Sequence, residues 1–248
     1  MKLAVVYART QTVERDEPRF ELRFPGFSIA TFAFPSLFFL LFGLPRVGPR
    51  PELLVVSYAA FAVIGVGFFQ FGVSAAIERV TPWASFVRTL PAGPTVRIAG
   101  RMLSALTFAA VSVGILFATA EATTSFSLSA ATWADLVAAL IAGGVPFVAL
   151  GIAIAYWTSP KSALPVANLL YMLLSYAGGL WTGPNGLPRL LSHISRFTPT
   201  RQWGEVLWPT ALGSTPRWTH GVALLAYTVA FALLATWGYR RDEGQRFR

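Results

Sequence analysis

The chain has 248 residues, 54% of them hydrophobic and only 12% charged, with a mean hydropathy of +0.56 and a net charge of +9. Soluble domains carry about 25% charged residues, so this much apolar surface needs lipid as its solvent and excludes an ordinary soluble domain. Cysteine is absent, which excludes disulfides, thiolate metal sites and a cysteine nucleophile. The basic residues lie between apolar runs, where they face phospholipid headgroups rather than nucleic acid.

Residues 1–26 mix both charge signs and lack an apolar core ahead of a small-residue cleavage site, so no signal peptide is expected. Six apolar runs follow, at 27–44, 53–77, 102–120, 136–157, 163–181 and 221–239. At about 1.5 Å per residue even the shortest reaches roughly 27 Å, enough to cross a hydrocarbon core about 30 Å thick with snorkelling at its ends. Six spans place both termini on one side. That side carries Lys2, Arg9, Arg15, Arg19, Arg23, Arg79, Arg88, Arg97, Arg101, Lys161 and the four arginines of the tail, 14 basic residues in all. The other side has six: Arg46, Arg50, Arg189, Arg196, Arg201 and Arg217. The excess predicts cytoplasmic termini, although four arginines in the long loop between spans five and six run against it. Trp218 and Trp237 flank the last span about 28 Å apart, one at each headgroup layer. Pro35, Pro146 and Pro165 are expected to bend or start helices, and Gly65, Gly67 and Gly72 to allow close helix packing, within a single domain.

None of the six runs contains Asp, Glu, Lys, Arg or His. Ion-coupled carriers keep an ionisable residue in the membrane, and intramembrane hydrolases need a nucleophile with a His, Asp or metal partner. The two histidines, His193 and His220, fall in or beside the loop between spans five and six. Neither lysine sits in a phosphate-binding loop, because Lys2 follows Met1 and Lys161 follows Pro160. A transporter built on this chain must draw its energy from a partner outside the lipid.

After span two the chain reads Glu78-Arg79-Val80-Thr81-Pro82. Trp83, Phe86, Val87 and Leu90 then keep helical spacing up to Pro91. Periodicity alone reads this as an interfacial connector, with Arg88 and Arg97 on lipid phosphates and Glu78 neutralised by Arg79. The Glu-Arg pair, the Arg88-Thr89-Leu90-Pro91 run and the small-residue start of span three together resemble the type 2 permeases of ATP-binding-cassette (ABC) exporters. The resemblance implies that Glu78, Arg79, Trp83, Phe86, Arg88, Leu90 and Pro91 form a cytoplasmic coupling helix that docks on the ATPase subunit. A second match, Gly178-Gly179-Leu180-Trp181 followed by Pro184, Leu187-Pro188 and Phe197-Thr198-Pro199-Thr200, resembles the family's re-entrant outer helices. There Leu187, Leu190, Leu191, Ile194 and Phe197 share one helical face and Arg189, Ser192, His193 and Arg196 the other. Residues 2–24 fit the family's interfacial elbow helix.

In span five Asn168, Tyr171 and Ser175 share a face, with Tyr176 beside it and Gln70 in span two. These five residues either line a translocation path or hydrogen-bond a neighbouring helix. The expected fold is thus an all-α integral membrane domain with six transmembrane helices, an elbow helix, a coupling helix and a re-entrant outer segment. The resemblance implies the permease of an ATP-driven exporter in a bacterial cytoplasmic membrane, working with a second permease copy, identical or related, and with separate ATPase subunits. Such a chain has no catalytic, metal or cofactor site of its own, with ATP and Mg held by the partner. Its uncharged spans suit a hydrophobic or amphipathic cargo such as a drug, antibiotic, lipid or lipid-linked glycan. The alternatives are a channel or secondary carrier acting alone, and an assembly subunit with no transport of its own.

Overall fold

Among the described residues five helices open on a proline: α1 (Pro25–Phe38), α2 (Pro51–Val66), α4 (Pro94–Thr123), α6 (Pro160–Ala177) and α8 (Pro199–Ala211). At the first helical position proline loses nothing, since its missing N–H would have had no intrahelical acceptor, and its fixed φ suits the turn. Side chains complete two of these starts. Ser159 and Ser162 form a reciprocal capping box on α6, and Thr198 accepts from the Arg201 N–H on α8. The other helices are α3 (Ser74–Glu78), α5 (Ala130–Trp157), α7 (Arg189–Ser195) and α9 (Trp218–Arg246). These are features of a computed structural model that describes residues 25–81 and 94–246, and no strand occurs among them. The expected elbow helix and the segment from Trp83 to Pro91 lie outside the described residues.

Among the described residues four stretches are long and apolar enough to cross a membrane: Pro51–Glu78, Gly100–Thr123, Ala130–Trp157 and Trp218–Asp242. The first expected span falls in the continuous helical stretch 25–46, made of α1 and the two short turns after it, and the fifth in the 18-residue helix α6. That helix stops at Ala177 rather than Trp181 because Gly179, at φ +77°, closes it. The Leu180 N–H reaches back to the Ser175 carbonyl and the Gly179 N–H to that of Tyr176. Pro35, Pro146 and Pro165 all sit inside helices.

Apolar character around the whole circumference places a helix inside a bundle. The stretch from Pro51 to Glu78 fits that rule, with 78% of its most apolar window buried, against 17% for the windows of α4 and α9. It is the central post, and α4 and α9 present most of their surface outward. The post is not a uniform α-helix. Gly67–Val73 adopts a π-helical turn, continuous with α2 before it and α3 after it. A π turn widens the coil, and here the widened face lies on α5 at backbone contact. A Cβ on Gly67 would stand 3.2 Å from the Phe147 carbonyl oxygen, one on Gly72 3.2 Å from that of Gly151, and one on Gly151 would collide with the Gly67 carbonyl. The glycines at 65, 67 and 72 therefore do serve close packing, Gly65 against the Tyr171 ring. A second π turn, Phe39–Gly43, follows α1 and packs Gly43 against Tyr58.

Helix α8 is the element that hydropathy alone misses. Its residues Thr200, Trp203, Gly204, Leu207, Trp208 and Ala211 are buried at regular helical spacing. The chain between α6 and α9 therefore returns into the bundle instead of crossing its surface. Trp203, fully buried, donates to the Ala139 carbonyl (3.0 Å), stacks on Phe147 and fills the space over Gly143. Trp208 donates to Ser57 Oγ (2.7 Å) on the central post, and Thr200 to the Leu174 carbonyl (2.6 Å) on α6.

These backbone contacts make a clean stability test. Gly151→Ala is expected to lower the unfolding midpoint in detergent, by an overpacking cost of about 1–3 kcal/mol. Gly114→Ala, with nothing within 4 Å of the new methyl group, is expected to leave it unchanged or raise it slightly. Equal thermal melts for the two variants would contradict the intimate contact between the π turn and α5.

Candidate functional site

Ionisable groups gather at the two ends of the bundle. At the end where α3 stops and α9 finishes, Arg79 is turned inward, its side chain only 15% exposed. It donates to the Thr158 carbonyl (2.6 Å) just past α5 and to Asp242 (2.7 Å) on α9, so one guanidinium ties three segments. Aromatic rings surround that clamp. Trp157 donates to the Leu234 carbonyl (2.9 Å) and meets Trp237 edge-on, Tyr156 meets Tyr239, and Arg241 stacks on Trp157.

Glu78 is paired with Arg101 on α4, and not with Arg79 as the connector reading expects. The reason is helical geometry: consecutive residues point about 100° apart, so Glu78 and Arg79 diverge to different neighbours. The Arg101 pairing joins the two ends of the 82–93 segment, since α3 leads into that segment and α4 leaves it. Of the seven expected coupling residues, Glu78 and Arg79 are thus placed at the segment's base. Trp83, Phe86, Arg88, Leu90 and Pro91 lie outside the described residues.

The five residues expected along a path separate. A lateral cavity of about 240 Å³ opens between α1, α2, α4 and α6, walled by Phe32, Phe34, Phe69 and Phe108, with Asn168 and Tyr171 contributing from α6. Tyr171 is buried, stacked on Phe61 with ring centroids 4.3 Å apart, and its hydroxyl donates to the Phe61 carbonyl (3.1 Å) across the helices. It serves as a packing anchor. Asn168 is exposed on the same wall and Ser112 lines it from α4, so an amide and a hydroxyl are at hand to meet a guest. Ser175 is buried behind that wall, Tyr176 is exposed near Trp181, and Gln70 is half-buried in the π turn; none of these three lines the cavity. An aromatic chamber with an amide and a hydroxyl is suited to an apolar or amphipathic molecule.

At the opposite end lies a larger cavity of about 620 Å³, bounded by α7, α8, the start of α9 and the loop after α6. Sequence reasoning placed Arg189 and Arg196 on the polar face of an outer helix and counted Arg201 and Arg217 with the loop between spans five and six, without bringing the four together. The signal that could have assembled them was the Thr198-Pro199 helix start, followed by buried positions 200, 203, 204, 207, 208 and 211.

Four membrane-capable helices in a bundle that is all-helical among the described residues define a multi-pass membrane protein. No family model matches the chain. It is similar to a Bacillus subtilis (strain 168) protein named "Putative transport permease YvfS", with 27% identity over 189 residues, 76% of this chain and 77% of that one. The likeness spans most of both chains and supports a membrane permease role.

The two ion pairs at the α3 end differ in burial, and their strengths should differ accordingly. A double-mutant cycle on Arg79→Met and Asp242→Asn is expected to give a coupling of about 1–2 kcal/mol. The cycle on Glu78→Gln and Arg101→Met, at the more exposed pair, is expected to give about 0–1 kcal/mol. Unfolding in detergent followed by tryptophan fluorescence checks this, and a stronger coupling at Glu78 and Arg101 would refute the clamp.

Proposed function

We propose that this chain is the membrane-spanning permease subunit of an ATP-driven ABC exporter, crossing the bilayer six times and working as a pair of permeases with separate ATPase subunits. The observation that carries the reading is the division of charge. The apolar runs hold no ionisable side chain, while Glu78, Arg79, Arg101 and Asp242 cluster where the 82–93 segment is rooted. A push delivered to that segment by an ATPase is passed through the Glu78–Arg101 pair to α4 and through Arg79 to α5 and α9. The π turn lies between this clamp and the lateral cavity, and π turns recur where helices must change shape.

The cargo class follows from the cavity. Its aromatic walls with the Asn168 amide and the Ser112 hydroxyl fit a hydrophobic or amphipathic molecule entering sideways from lipid. Exposed Leu164, Leu169 and Leu173 on α6, with Leu37 and Leu41 on the first span, continue that apolar wall and suit a second permease copy closing the path. The orientation that the basic-residue count favours puts the clamp on the cytoplasmic side of a bacterial inner membrane, within reach of the ATPase.

Co-purification in detergent with the ABC ATPase encoded beside this chain's gene tests the proposal. Wild type is expected to hold the ATPase in about one-to-one ratio. Arg88→Glu, outside the clamp, is expected to weaken that association about tenfold or more while the permease still elutes as a folded protein. Failure of the wild type to retain the ATPase would favour a channel or an assembly role instead.

A further inference from the structure

The 620 Å³ cavity is lined by four arginines, Arg189, Arg196, Arg201 and Arg217, against a single carboxylate, Glu205. That carboxylate is already committed. Arg201 grips it through Nε (2.9 Å) and Nη2 (2.7 Å), donates its remaining arm to the Pro184 carbonyl (2.8 Å) and lies 4.7 Å over the Trp208 ring. Arg189, Arg196 and Arg217 make no ion pair with any carboxylate among the described residues. Three arginines therefore line one concavity without an ion-pair partner among the described residues, and the Arg196 guanidinium rests 3.4 Å from His193 Nδ1.

The walls are braced rather than loose. Gln202 donates to the Arg196 carbonyl and meets His220 Nδ1 through its side-chain oxygen (2.7 Å), linking α7, α8 and α9 around the cavity. The Tyr227 hydroxyl donates to the Phe197 carbonyl and holds the end of α7 to α9. Arginine forks match the oxygens of a phosphate in pairs, and the cavity lies within the roughly 300–1,000 Å³ of small-ligand sites, well above a bare ion. On the side of α7 that faces away, Leu190, Ile194 and Phe197 are 78%, 56% and 79% exposed. The short helix α7 and the two residues after it thus give Arg189 and Arg196 to the cavity lining and an apolar stripe to the surroundings, the pattern of an element seated between headgroups and acyl chains.

We infer that this cavity binds a phosphate group, and the stripe on α7 points to a phospholipid headgroup as its carrier. The site is distinct from the lateral cavity and does not depend on ATPase coupling. It also accounts for the four arginines that run against the basic-residue count: they are gathered for an anion rather than scattered along a loop.

Binding of phosphatidylglycerol to the full chain in a neutral detergent, read by native mass spectrometry or calorimetry, tests this. Phosphatidylcholine and inorganic phosphate serve as comparison probes. The triple variant Arg189→Gln, Arg196→Gln, Arg217→Gln changes only exposed side chains. It is expected to weaken phosphatidylglycerol binding about tenfold or more. Arg46→Gln with Arg50→Gln, exposed at the same end outside the cavity, is expected to leave it unchanged. If the triple variant does not elute as wild type, Arg217→Gln alone gives the same reading with a smaller loss. Persistence of the bound lipid in millimolar inorganic phosphate supports a headgroup, and its displacement supports the phosphate site with a soluble anion as occupant. Equal retention by the triple variant and the control, or equal binding of phosphatidylcholine, would overturn the inference.

Discussion

Everything in this structure depends on where the backbone and side chains find hydrogen-bond partners once water is gone. A peptide group in lipid must be satisfied within the chain, and that demand makes the described residues helical. The same demand reaches side chains. Ser57, Thr107, Thr119 and Thr228 each turn back to the carbonyl four residues earlier, so these hydroxyls are absorbed by their own helices. Between helices, Tyr171, Trp203 and Thr200 donate to carbonyls of their neighbours, and Trp208 to the hydroxyl of Ser57. The bundle's specificity resides in these few directed bonds, because apolar surface against lipid has little preference of its own.

Charge is displaced to the two ends by the same physics, and the ends use it differently. Where α3 stops, opposite charges meet and are partly buried, so the groups bind helices to one another. Around α7 and α8 the arginines outnumber the carboxylates, so the groups are left to bind something else. Under the proposed function both kinds of end have a use: one would pass on a mechanical input and the other would meet what lies beyond the membrane. The π turn, the backbone contact of Gly151 and the aromatic cavity lie between them.

Legibility in the sequence followed the strength of local signals. The stretch from Pro51 to Glu78 is apolar on every face, and that feature alone places it at the centre. Capping serines and prolines mark helix starts, while Gly179 and Gly213, both at positive φ, mark helix ends. The pairing of Glu78 was not legible, because its partner Arg101 is distant in sequence and adjacency in the chain is misleading on a helix. Helix α8 escaped hydropathy because Arg201, Gln202 and Glu205 dilute its apolar face. Its 3.6-residue spacing was nevertheless present in Trp203, Leu207 and Ala211. The lateral cavity gathers residues from four helices, and only Asn168 and Tyr171 of the five expected path residues belong to it. Helical spacing on α6 could group those two, but it could not show which neighbours face them.

The claim on which the account rests is that the bundle threads a bilayer with the 82–93 segment and the arginine-lined cavity on opposite sides. The chain has no native cysteine, so single cysteines introduced at Ser85 and at Ser214, in the turn after α8, can be labelled with a membrane-impermeant maleimide on vesicles of each orientation. The expected result is labelling of Ser85→Cys only from the cytoplasmic side and of Ser214→Cys only from the other. Labelling of both from the same side would contradict it.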